Sequence, residues 1–219
     1  MNRLFAIGDI HGCSIALDAL MNEIDPGPDD TVVTLGDYVD RGPDSAGVID
    51  LLITWRDRTR LCPILGNHEE MMLDVIRGDL QYGEWLRHGG VDTLESYEFD
   101  GSLDFLPENH QTFFEQCGDY FETEDYIFTH AGYDPDRSLD QQSIAALRWR
   151  SLRSGVPAPH HSGKTAVVGH TANEEGDVLD YGHLICVDTY CYGGAWLTAF
   201  ELHSRQVVQS NQNGDIRKS

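Results

Sequence analysis

Three short polar motifs constrain this chain most: GDIHG (8–12), GDYVDRG (36–42) and GNHEE (66–70). Each stands where an apolar run ends and a helical pattern begins, and each gap between them holds one helix and one strand. LFAIGD (4–9), TVVTLGD (31–37) and RLCPILGN (60–67) have the β-branched, apolar character of buried strands. CSIALDALMNEI (13–24) carries helical spacing through Ile15, Leu17, Leu20 and Ile24. PDSAGVIDLLITW (43–55) has Pro43 near its first turn, and HEEMMLDVIRG (68–78) ends at Gly78. Strands alternating with helices of this length predict βαβ units and a parallel sheet. The motifs then fall at the carboxyl edge of that sheet, where loops from neighbouring strands converge on ligands.

The segment from about 79 to 124 is polar and helical, with Trp85, Tyr97, Phe105, Phe113 and Phe114 as expected packing anchors, and it predicts a helical cap beside the motifs. Strand patterns return at 125–132, 165–171, 184–189, 196–202 and 206–210. Loops rich in Pro, Gly and His (154–163) and in acidic residues (173–182) separate some of them, and the last nine residues read as frayed. Two sheets packed face to face with helices outside is the expected assembly. At 219 residues and 24.5 kDa, a single domain over 1–219 is expected.

Composition excludes some partners. With 37 acidic against 15 basic residues, the net charge is −22, so a nucleic-acid backbone or an anionic membrane would be repelled. Lysine occurs only at Lys164 and Lys218, which leaves bound metal and a few arginines to hold any phosphate. No run of eighteen apolar residues occurs, and the N-terminus reads as a strand, so the expected location is the cytoplasm. The five cysteines are scattered, without a Cys-x-x-Cys pair, and are expected to be reduced; Cys13, directly after the first motif, is expected to pack at a helix N-terminus.

The strand ends carry Asp9 and His11, then Asp37, then Asn67 and His68, with His130 and His170 following later strands. Mixed imidazole, carboxylate and amide oxygen suits Mn²⁺, Fe or Zn²⁺ better than an all-oxygen Mg²⁺ or Ca²⁺ site. A single such residue says little, because Gly-Asp pairs commonly make turns. The ordered set of motifs resembles the phosphoprotein phosphatase family of calcineurin-like metallophosphoesterases, in its small bacterial and bacteriophage lambda form. The resemblance continues through WLRHGGVDTLESY (85–97), THAG (129–132), GHT (169–171) and VDTYCYGGAWLTAF (187–200).

That resemblance implies a four-layer α/β/β/α sandwich with two mixed sheets and a helical cap insertion. It implies two divalent metal ions, with Mn²⁺ first and Fe or Zn²⁺ compatible. Asp9 and His11 would bind the first, Asp37 would bridge, and Asn67, His130 and His170 would complete the second. A hydroxide shared by the metals would attack the phosphorus directly. Arg41 would hold phosphate oxygens through its guanidinium fork, and His68, supported by Asp40, would protonate the leaving alkoxide. A second phosphate-holding arginine is expected in ALRWRSLR (146–153), where Arg150 fits best and Arg148 remains an alternative. His183 and the pair His160 and His161 lie in loop-like stretches and are expected at the solvated surface.

Tyr190 stands where the family pattern expects glycine, which puts the substrate cleft in question rather than the metal set. The resemblance implies hydrolysis of phosphoserine and phosphothreonine in a protein or peptide, with a bis(5′-nucleosyl)-tetraphosphatase acting on dinucleoside polyphosphates as the alternative.

Overall fold

A computed structural model describes residues 2–219. The predicted alternation is present: β1 (Leu4–Ile7), α1 (Ser14–Ile24), β2 (Thr31–Thr34), α2 (Ser45–Arg56), β3 (Arg60–Pro63) and α3 (Asn67–Arg77). Each of these strands stops before its motif. Gly8, Asp9 and the residues from Leu35 to Gly42 therefore lie in loops, while Asn67 and His68 open α3.

The cap region forms α4 (Tyr82–Trp85), a π-helical turn over Leu86–Gly90, α5 (Val91–Ser96) and α6 (Glu108–Glu115). Trp85, Phe113 and Phe114 are buried as expected, and Tyr97 and Phe105 pack partly buried against the same core. The region is not helical to its end, because β4 (Tyr120–Glu122) falls inside it and joins a sheet. The remaining elements are β5 (Tyr126–Thr129), α7 (Ile144–Trp149), β6 (Thr165–Val168), β7 (Leu179–Asp180), β8 (Leu184–Cys186), β9 (Leu197–Glu201), β10 (Val207–Ser210) and β11 (Ile216–Lys218).

These strands make two mixed sheets, ordered β11-β10-β9-β1-β2-β3 and β4-β5-β6-β8-β7. The pairs β1·β2 and β2·β3 are parallel, as are β5·β6 and β6·β8, and antiparallel strands complete the sheets. Alternation along the strands builds the layers. Leu4 and Ala6 of β1, Val33 of β2, Phe128 of β5 and Val167 of β6 share the core between the sheets. Phe5 and Ile7 turn the other way, onto Leu17, Leu20 and Leu52 of α1 and α2. On the far side, Ile127, Ala166 and Val168 meet Tyr133, Leu139 and Leu152, so this outer layer is made largely of turns.

The C-terminus departs from the frayed expectation, since β11 pairs antiparallel with β10. Arg217 holds this edge, with Nε donating to Gln209 Oε1 (2.6 Å) and the guanidinium 4.4 Å from the Trp196 ring. A strand of three residues at a sheet edge has too little pattern to be read locally and forms because a partner edge is available. Among the described residues, no helix is long and apolar enough to cross a membrane.

Candidate metal centre

Five of the candidate residues have positive φ: His11 (44°), Asp37 (50°), Asp40 (72°), Arg41 (67°) and His170 (63°). Such backbone is uncommon outside glycine, costs roughly 1 kcal/mol or more at each position, and tends to gather where side chains must be aimed at a common point. Here the turns after β1, β2 and β6 aim theirs into one buried cluster.

Asp37 is at its centre. Its Oδ2 lies 3.4 Å from His11 Nε2 and its Oδ1 lies 3.4 Å from His130 Nε2. Two compact groups share it: His11, Asp37 and His68, and Asp37, His130 and His170. Asn67 joins the second, with Oδ1 at 2.9 Å from both His130 Nε2 and His170 Nδ1. Asp9 belongs to neither group. Its two oxygens accept the backbone N–H of His170 at 3.0 Å, and it neighbours the buried Asp188.

The donor chemistry fits cations. His130 Nδ1 is 2.7 Å from the Leu35 carbonyl and His11 Nδ1 is 2.8 Å from the Val39 carbonyl. A carbonyl only accepts, so each Nδ1 carries the proton, and each neutral ring turns a bare Nε2 lone pair toward Asp37. Burial lowers the pKa of His11 well below the usual imidazole value and also lowers His130. Burial, with His130 nearby, brings His170 down to about 4. Burial alone would raise Asp37, but attraction to the imidazoles of His130, His68 and His11 when they are protonated outweighs it and lowers the carboxyl well below its usual range. Burial, Asp188 and Asp37 push Asp9 well up, and burial carries Asp188 to about 6. Lone pairs converging within about 3 Å, beside crowded carboxyls, are the surroundings in which divalent ions replace protons.

His68 differs from its neighbours. Burial would lower its pKa, but Asp37 and the hydrogen-bonded Asp40 outweigh that and raise it. Its Nδ1 lies 2.7 Å from Asp40 Oδ2, while Nε2 faces Asp37 Oδ2 at 3.9 Å. Arg41 is half-buried, with Nη1 donating to His11 Nε2 (3.0 Å) and its guanidinium 4.7 Å from the Tyr192 ring.

The two other arginines separate. Arg148 is buried and paired with Asp119, with Glu70 at 3.6 Å; Arg150 is exposed, its stem against Gly132 and its Nη1 donating to the Tyr133 carbonyl (3.0 Å). His183 is bonded to the Pro157 carbonyl (2.8 Å) away from the cluster. His160 departs from the surface expectation: it is buried, between Ser162 Oγ (2.7 Å) and the Arg137 carbonyl (2.8 Å). Cys13 is buried at the N-cap of α1, as expected.

Tyr190 holds φ 64° and ψ 43°, the left-handed conformation that glycine adopts freely.

Sequence reasoning assigned no role to Glu69, although it lies within the third motif. This buried carboxylate accepts the N–H groups of Asp37 (2.9 Å) and Gly66 (2.9 Å) on Oε2, and of Tyr38 (2.7 Å) and Val39 (3.1 Å) on Oε1. It joins the loop that carries Asp37, Asp40 and Arg41 to the start of α3. Burial and Asp37 push its pKa up to about 7, and the amide donors oppose that rise. In Glu69→Gln, the side-chain NH₂ would face two of these donors. A loss of about 2 kcal/mol or more in urea unfolding is expected; unchanged stability would mean that the loop is held by other contacts.

The family model for calcineurin-like phosphoesterases matches residues 3–197. Over 154 residues the chain is 32% identical to a symmetrical bis(5′-nucleosyl)-tetraphosphatase of Nitrosomonas europaea, covering 69% of this chain and 52% of that protein. The chain thus spans about half the length of that relative. It is 28% identical over 221 residues to serine/threonine-protein phosphatase 2 of Salmonella typhimurium, covering 91% of this chain and 93% of that one. In fold it is similar to a cold-active protein-tyrosine phosphatase of a psychrophilic Shewanella species (TM-score 0.72, 16% identity, 100% of this chain and 80% of that one). The motifs, the two mixed sheets and the match over 3–197 together make the chain a member of the calcineurin-like phosphoesterase family.

Proposed function

We propose that the protein hydrolyses phosphoserine and phosphothreonine side chains in proteins or peptides. Asp9, His11 and Asp37 would hold one divalent ion, and Asp37, Asn67, His130 and His170 a second; the mixed donors accommodate Mn²⁺, Fe or Zn²⁺, with Mn²⁺ the ion the family resemblance puts first. Bound there, the two ions supply charge for the phosphoryl oxygens and an ionised water as nucleophile. Arg41, with Arg150 as the expected second arginine, would orient the phosphoryl group by charge-assisted hydrogen bonds. His68 is the proton donor. Because its Nδ1 is engaged by Asp40, the transferable proton is the one on Nε2, on the side of Asp37.

The His68–Asp40 pair carries this reading. A buried imidazole held through Nδ1 by a carboxylate can present its Nε2 proton to a poor alkoxide leaving group, such as that of serine or threonine. The match to serine/threonine-protein phosphatase 2 over nearly the whole of both chains supports the same substrate class.

A second reading, hydrolysis of dinucleoside tetraphosphates, is favoured by the 32% identity to the symmetrical tetraphosphatase. Its nucleotide leaving group needs far less help from a proton donor. The test compares kcat/KM for a phosphothreonine peptide and for diadenosine tetraphosphate, using enzyme treated with chelator and restored with Mn²⁺. Preference for the peptide is expected. Preference for the dinucleotide would move the assignment to the second reading, and absence of metal-dependent turnover of either would remove both.

A further inference from the structure

The cap reaches the His68–Asp40 pair directly. Asp40 is fully buried, as are Trp85 and Thr93, and its carboxylate is surrounded by donors. Oδ2 takes His68 Nδ1 at 2.7 Å, and Oδ1 accepts the Thr93 hydroxyl at 2.6 Å. Trp85 Nε1–H bridges both oxygens, at 3.0 and 2.9 Å. Thr93 Oγ1 in turn accepts the backbone N–H of Asp40 at 2.8 Å.

Trp85 and Thr93 are eight residues apart. In an uninterrupted α-helix that separation spans about 12 Å along the axis, too far for both side chains to meet one carboxylate. The chain resolves this at the π-helical turn Leu86–Gly90, where Gly89 takes φ 108° and folds α5 back toward Trp85. A β-carbon on Gly89 would stand 2.7 Å from Arg41 Cγ, and one on Gly90 would stand 2.6 Å from the Trp85 indole. Arg41 N–H donates to the Gly89 carbonyl (3.3 Å), so the turn is tied to the same loop that carries Asp40. Both glycines therefore serve the approach of the cap to the site.

We propose that Trp85 and Thr93 are positioning residues for the proton transfer to the leaving group. Thr93 pins one carboxylate oxygen and Trp85 bridges both, which fixes the carboxylate plane of Asp40. That plane sets the plane of the His68 ring, and hence where Nε2 delivers its proton. The assignment rests on His68 as the proton donor.

The experiment measures kcat/KM for a phosphothreonine peptide and for p-nitrophenyl phosphate, whose leaving group barely needs a proton. Thr93→Val and Trp85→Phe are each made alone and in a His68→Asn background. Each alone is expected to slow the peptide roughly tenfold and the nitrophenyl ester no more than about twofold. Thr93→Ser, which keeps the hydroxyl, should restore the peptide rate. In the His68→Asn background neither change should cost anything further, because the group being positioned is gone.

Equal losses on both substrates, or the same factor lost again without His68, would make the contacts merely structural and overturn the proposal. So would undiminished peptide turnover in both single variants. Should one variant fail to fold, the other decides. If His68→Asn itself slowed both substrates alike, the proton-donor reading would fail first, and the two failures are thereby told apart.

Discussion

Asp37→Asn is expected to abolish metal-dependent turnover and to weaken binding at both metal positions. One carboxylate oxygen faces His11 and the other faces His130, each at 3.4 Å, so a single side chain serves both groups. An amide has one oxygen and an NH₂ and can serve at most one of them. The substitution also removes the negative charge about which His11, His68, His130 and His170 gather. Loss of an outer-shell partner commonly costs 10–100-fold in metal affinity, and loss of a shared ligand should exceed roughly 100-fold. Calorimetric titration of chelator-treated protein with Mn²⁺, beside wild type, measures this directly. Two undiminished binding events would exclude Asp37 as the shared ligand.

The second large effect is expected from His68→Asn, and it should depend on the leaving group. His68 lies outside the proposed ligand set, so Mn²⁺ binding should be retained. Turnover of a phosphothreonine peptide should fall roughly 10²–10⁴-fold, the usual worth of a positioned acid, while p-nitrophenyl phosphate should be slowed far less. A uniform loss on the two esters would take His68 out of the acid role. Without the imidazole, Asp40 keeps Trp85 and Thr93 as hydrogen-bond partners, so no gross unfolding of the cap should confuse the result.

Most of the fold was legible because its signals are local. The first half reads as alternating strands and helices from the spacing of Leu17, Leu20, Val32, Val33, Val48 and Leu52, all of which are buried. The strand patterns overshoot the strands, by as much as four residues after β3, because Gly, Asp and Asn of the motifs follow apolar runs without a break in composition. The two-residue β7 and the C-terminal β11 escaped for a different reason. Their strand character comes from pairing with β8 and β10, not from their own residues. The loop of His160 is rich in Pro, Gly and His and has the composition of a surface segment, yet two hydrogen bonds to side chain and carbonyl allow its burial.

What the sequence determined by itself is the chemistry on offer. Strand-to-helix junctions are set by a few adjacent residues, so motif order and spacing were enough to put Asp37 and Asn67 just past strands of one sheet and His130 and His170 just past strands of the other. What only the tertiary structure decided is which groups surround those side chains. Trp85 could be read as an apolar anchor, but its bond to Asp40 depends on the turn at Gly89. The bonds of Glu69 to three amides of the β2 loop depend on the packing of α3 beside that loop, and the closeness of Asp188 to Asp9 depends on the two sheets meeting. Such contacts join residues far apart in the chain through side-chain direction and close packing, and neither is encoded in local periodicity.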